Sequence, residues 1–188
     1  MNQIALRLFE MLITLPVILI SLSVHELCHG YAAYRLGDPT AKSMGRLSMN
    51  PLKHIDPIGF FALLFFRVGW AKPVMVDARF FKKPKRDMAL VSLAGPLSNF
   101  LLAFISSFLF VFLLKMGTAL GLLGTGSTMT PFGVLCSMAM YMVSINLGLF
   151  VFNLIPIPPL DGSKFCTRFC RTASFTKSRR MKSTFSLL

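Results

Sequence analysis

The sequence predicts an all-α polytopic membrane protein, with about three transmembrane helices and a short cytoplasmic segment that can contain β-structure. Three observations carry this prediction. Apolar residues make up 54% of the 188 and mean hydropathy is +0.66, well above a soluble domain. Asp, Glu, Lys and Arg are absent from residues 88–114 and again from 116–160. The basic residues gather where a membrane topology leaves chain outside the lipid.

Each span has its own basis. Met88 to Leu114 is long enough to cross the roughly 30 Å hydrocarbon core, and so is the stretch from about Pro131 to Pro159. The first apolar block, Met11 to Val24, is shorter. Continued as a helix over residues 4–33, at about 1.5 Å per residue, it spans with tilt, and Pro16 offers a kink. A cleaved signal peptide is the rival for this block. It is disfavoured because no small-residue cleavage site follows and the polar His25 and Glu26 intervene.

A net charge of +13 raises the question of nucleic acid. Of the 20 basic residues, 11 lie between Arg35 and Arg86 and seven from Lys164 onward, leaving Arg7 and Lys115. The positive-inside rule then puts the 35–86 segment and the tail in the cytoplasm and the weakly charged 115–130 loop outside. Such flanks favour anionic headgroups, and no aromatic RNA-binding box accompanies them, so the lipid bilayer is the expected partner and nucleic acid is not. Cys28 and Cys136 fall in apolar helices, where small thiols pack well. Cys166 and Cys170 could share a metal, but no further Cys or His lies near them in sequence.

The chemistry begins at the end of the first helix. His25-Glu26-Leu27-Cys28-His29 fits H-E-x-x-H, and positions i and i+4 share a helical face, so both imidazoles can reach one zinc ion. Glu26 is placed to take a proton from the attacking water and pass it to the leaving amine. Ionisable groups in a membrane helix are expensive, which makes these residues functional candidates rather than headgroup contacts.

A catalytic zinc needs a third protein ligand. His54 and Asp161 are the two candidates. The first and third spans both run from outside to inside, so His25 to His29 and Asp161 reach the same membrane face. The Pro-rich Pro156 to Pro159 breaks the helix and can turn the carboxylate inward, although an ordinary turn role for Asp161 stays open at this point.

The motifs resemble those of the site-2 proteases, the intramembrane zinc metalloproteases, and in particular their small bacterial members. The likeness rests on HELCHG at 25–30, Asn50-Pro51 with His54-Ile55-Asp56-Pro57, GWAKPV at 69–74, Leu93-Ala94-Gly95-Pro96 with Asn99, and NLIPIPPLDG at 153–162. It covers residues from about 15 to 164. The resemblance implies His25, His29 and Asp161 as ligands of one Zn2+ per chain, and Glu26 as catalytic base. It implies that His54, Asn153 and Asn99 steady substrate or the developing oxyanion; Asn99 has interhelical glue as its structural alternative. It implies endopeptidase cleavage of transmembrane segments of membrane-protein substrates, in a multi-pass protein of the cell membrane with its site toward the cytoplasm. Val74-Met75-Val76, of β-type residues, could supply an edge strand to such a substrate.

Residues 1–164 thus read as a membrane-embedded core and 165–188 as a basic tail. The tail reads either as a disordered segment on anionic lipid or as the product of a shifted reading frame, which would leave a truncated inactive relative. Two noncatalytic classes compete with the enzyme. The intact Glu26 argues against a pseudoprotease that only binds substrate helices, and the few spans without paired broken helices argue against a transporter.

Overall fold

The computed structural model describes residues 3–66, 69–123 and 130–165. Among them run five α-helices: α1 (Gln3–Arg35), α2 (Thr40–Ser43), α3 (Pro57–Phe66), α4 (Pro84–Ala119) and α5 (Pro131–Leu154). Of these, α1, α4 and α5 are long and apolar enough to cross a membrane. The tail from 166 onward, with Cys166 and Cys170, lies outside the described residues.

Local chemistry sets the helix ends. Gly37, at φ +111°, ends α1 in a backbone conformation that side chains disfavour. In the first turn of α4, Asp87 accepts the Lys83 N–H at 2.9 Å and places its negative charge at the positive end of the helix dipole. Thr130 caps α5 by accepting the Gly133 N–H at 3.0 Å, with Pro131 at the first helical position. The third span, expected to reach Pro159, is helical only to Leu154, because Ile155 precedes a proline and is driven to extended backbone, ψ 129°.

The three long helices pack against one another, α4 touching both α1 and α5. Small residues fill their interfaces: Ser21, Ser23 and Ala33 on α1, Ala89, Ser92, Gly95 and Ala103 on α4, Gly133, Cys136 and Ala139 on α5. The bulky apolar side chains point outward instead, as in the stripe Phe100, Phe104, Phe108 and Phe112 along α4. This inverts the soluble arrangement. It is the one expected where lipid surrounds the helices and close backbone approach holds them together. A polar contact also lies inside the bundle, where Asn146 of α5 donates to Ser21 Oγ of α1 at 2.8 Å.

The β-structure expected between the first and second spans is not present among the described residues. Only an isolated antiparallel bridge pairs Ile55 with Ala71. The reason lies in where the amides go. Beyond Lys72 N–H, which reaches His54 O at 2.8 Å, two further donors go to side chains, Val74 N–H to Glu26 at 2.9 Å and Asp77 N–H to Asp38 at 2.8 Å. The segment is thereby pinned to α1 and to the turn after it, in place of a neighbouring strand.

Gly59 of α3 fixes how this segment folds back, since a Cβ there would lie 2.3 Å from Trp70 O. Trp70 is the single tryptophan of the chain, so its emission reports on that contact. Gly59→Ala is expected to shift the emission and change its quenching by iodide, with the helix content unaltered. Wild-type emission from the variant would contradict the packing.

Candidate metal centre

α1 presents His25 and His29 one turn apart, both buried against α4. Nδ1 of His29 lies 2.7 Å from the Val91 carbonyl, which can only accept. Nδ1 therefore carries the proton, and in the neutral ring Nε2 is left as a lone pair. Nδ1 of His25 meets the Asn99 carboxamide of α4, with Nδ2 at 3.1 Å.

Asp161 arrives from beyond α5. After Leu154 the chain turns through Ile157 N–H to Ile155 O and Leu160 N–H to Ile157 O, and helical backbone resumes over residues 161–165. Gly162 lets this turn close, because a Cβ there would stand 2.4 Å from Leu154 O. The turn delivers Oδ2 of Asp161 to 3.2 Å from Nε2 of His25 and 2.9 Å from Nε2 of His29, and the two Nε2 atoms are 3.0 Å apart. Lys164 Nζ stands 3.4 Å from the other oxygen, Oδ1.

Gly95 forms the floor of the cluster. A Cβ there would lie 2.3 Å from Nε2 of His29 and 2.7 Å from Cε1 of His25, so the α4 backbone itself packs on both rings. No residue but glycine leaves the imidazoles where they are.

The donor set fits a zinc ion. Two imidazole nitrogens and a carboxylate oxygen are a ligand set zinc takes, with metal–ligand distances near 2.0–2.1 Å, so the edges of a tetrahedron around it are about 3.3 Å. The three edges here, 3.2, 3.0 and 2.9 Å, fall slightly short of that. His29 offers its lone pair inward already, and its Nδ1–H on a backbone carbonyl is the outer contact that orients a ligating histidine. A small outward movement of the rings admits the ion.

The remaining predicted residues are placed differently. Glu26 is half-buried beside the cluster, its Oε2 accepting the Val74 N–H. His54 is 2% exposed and stands apart from the three ligands. Its Nε2–H donates to Ser48 O at 2.8 Å, and it helps to line an apolar cavity of about 340 Å³ with Leu19, Leu22, Ser23, Trp70 and Leu149. Asn153 donates to Leu149 O of its own helix at 3.0 Å. Asn99 is fully buried and touches His25. The Val91 carbonyl and the Val74 amide escaped the sequence reading because backbone groups leave no trace in residue type. Gly95 stands in the sequence only as part of the Leu93-Ala94-Gly95-Pro96 motif, and its neighbours turn out to be the two histidines.

The profile of peptidase family M50 matches residues 13–187. The Bacillus subtilis (strain 168) protein named "Putative zinc metalloprotease YwhC" is 47% identical over 146 residues, covering 77% of this chain and 63% of that protein. "Putative zinc metalloprotease Rip2" from Mycolicibacterium smegmatis is 32% identical and its namesake from Mycobacterium tuberculosis (strain Erdman) 31%, each over 77% of this chain and 52% of the relative. The chain therefore spans between half and two thirds of the length of these curated relatives. No solved structure matches it. With HELCHG, NLIPIPPLDG and the buried cluster they form already in place, the match over almost the whole chain settles its kinship: the protein belongs to peptidase family M50, the site-2 protease family.

Proposed function

We propose that the protein is a zinc-dependent endopeptidase of the cell membrane, cleaving peptide bonds in or near transmembrane segments of other membrane proteins. The observation that carries this reading is the convergence of His25, His29 and Asp161 inside a bundle of membrane-length helices, with Glu26 one residue from the first ligand. The relatives' names point the same way, and membership of the family supplies the reaction class.

His25, His29 and Asp161 would hold the zinc. When bound, zinc polarises the scissile carbonyl and activates water at neutral pH. Glu26 supplies proton transfer, accepting a proton from the attacking water and returning it to the leaving amine. Its half-buried position leaves it open to reactants, and the Val74 N–H holds one carboxylate oxygen so that the other is free for this work. Gly95 and Gly162 add no side chain that would crowd the ligands or the turn carrying Asp161.

Substrate has a place to lie. The cavity lined by Leu19, Leu22 and Ser23 follows α1 on the face that also carries Glu26, at the i+3, i+4 and i+7 spacings of one helical side. Its apolar walls suit a side chain drawn from a membrane segment, with His54 among the residues that line it. Helical hydrogen bonds shield a substrate's carbonyls, so the cleaved stretch must be locally extended. The basic residues between α1 and α4 favour a cytoplasmic position for this end of the bundle.

Glu26→Gln is expected to lower cleavage of a single-span substrate in detergent by about 10²–10⁴-fold with zinc still bound at one per chain. Undiminished turnover by this variant would sink the proposal, as would activity that survives removal of zinc by 1,10-phenanthroline. Gly95→Ala drives a methyl group into both imidazoles and is expected to weaken zinc binding by at least about tenfold, in the range seen for loss of an outer contact, with helix content retained. Unchanged zinc affinity in that variant would show that α4 does not brace the ligands.

A further inference from the structure

Asn99 is fully buried in α4 and its carboxamide has one partner outside its own helix, Nδ1 of His25. Its Oδ1 is buried without a hydrogen-bond partner among the described residues. Nothing but the histidine therefore dictates which end of the amide faces the site. A half-turn about the Cβ–Cγ bond exchanges Oδ1 and Nδ2 and sacrifices no other bond.

The two orientations demand different histidines. With Nδ2 toward it, Nδ1 of His25 would accept and the ring proton would sit on Nε2, between His29 Nε2 and Asp161 Oδ2. That proton occupies the position a metal needs. For Nε2 to be a ligand the proton must be on Nδ1, and then only the amide oxygen can face it. For His29 the Val91 carbonyl is the corresponding acceptor and fixes its tautomer in the ligating form.

We infer that Asn99 is the positioning residue of His25, its carboxamide oxygen accepting the Nδ1–H of the ligating ring as the Val91 carbonyl does for His29. The inference rests on the zinc reading above and assigns Asn99 no contact with substrate.

The test is zinc affinity by competition with a chelator, on the purified full chain in detergent, with helix content followed by circular dichroism. Asn99→Leu keeps the volume and removes the partner; zinc affinity is expected to fall by about 10–100-fold with helix content intact. Asn99→Asp offers only acceptors and so satisfies the ligating tautomer; its affinity is expected within about threefold of wild type, or tighter. Wild-type affinity in a folded Asn99→Leu chain overturns the inference, and so does an Asn99→Asp chain as weak as the Leu variant. Should the Leu variant not fold, the Asp variant decides alone, a loss of tenfold or more counting against the inference. If the wild-type chain takes up no zinc, the metal reading itself has failed, an outcome distinct from any pattern among the variants.

Discussion

Two imidazoles and a carboxylate stand inside a bundle whose outer surface is made of Phe, Leu and Val. Removing such groups from water is costly unless they satisfy one another, and that constraint organises the rest of the chain. The three polar atoms come from elements far apart in sequence, α1 and the turn after α5, so the helices must pack closely enough to bring them together. Close packing requires small residues at the interfaces. Small residues at the interfaces leave the bulky ones to face outward, where lipid receives them. Interfacial serines and glycines, an outward phenylalanine stripe and a proline-broken helix end are consequences of one requirement.

The segment between α1 and α4 belongs to the same scheme. Its backbone reaches back to α1 through the bond from Val74 to Glu26, and to the turn after α1 through the bond from Asp77 to Asp38. Asp38 is itself fully buried and also accepts the Thr40 N–H at 2.9 Å, so its carboxylate ties α1, α2 and this segment into one unit. The base and the ligands are in this way carried by a framework that extends outside the membrane-length helices.

The sequence made the helices legible because charge is excluded from lipid so strictly that its absence marks the second and third spans and the middle of the first. H-E-x-x-H was legible because a 3.6-residue period places His25 and His29 on one face whatever surrounds them. Asp161 needed topology and resemblance together, since its partners lie more than a hundred residues away. Val74-Met75-Val76 misled because β-type residues report local preference, whereas the amides of this segment found side-chain acceptors that no local pattern announces. Asn99 could be marked as polar in an apolar span, but which atom it addresses depends on the helix crossing. His54 and Asn153 likewise carry no sequence sign of the backbone carbonyls to which they are committed.

The bare backbone at Gly95 means that nothing compliant separates α4 from the two histidines. A side chain at that point could change rotamer and absorb a small displacement of the helix; a glycine cannot. Any slide or tilt of α4 against α1 is thus transmitted to the rings without loss, as in a gear with no backlash. Loosening of the bundle, whether by a thinner bilayer or a harsher detergent, would then register first at the ligands and only afterwards in the helices themselves.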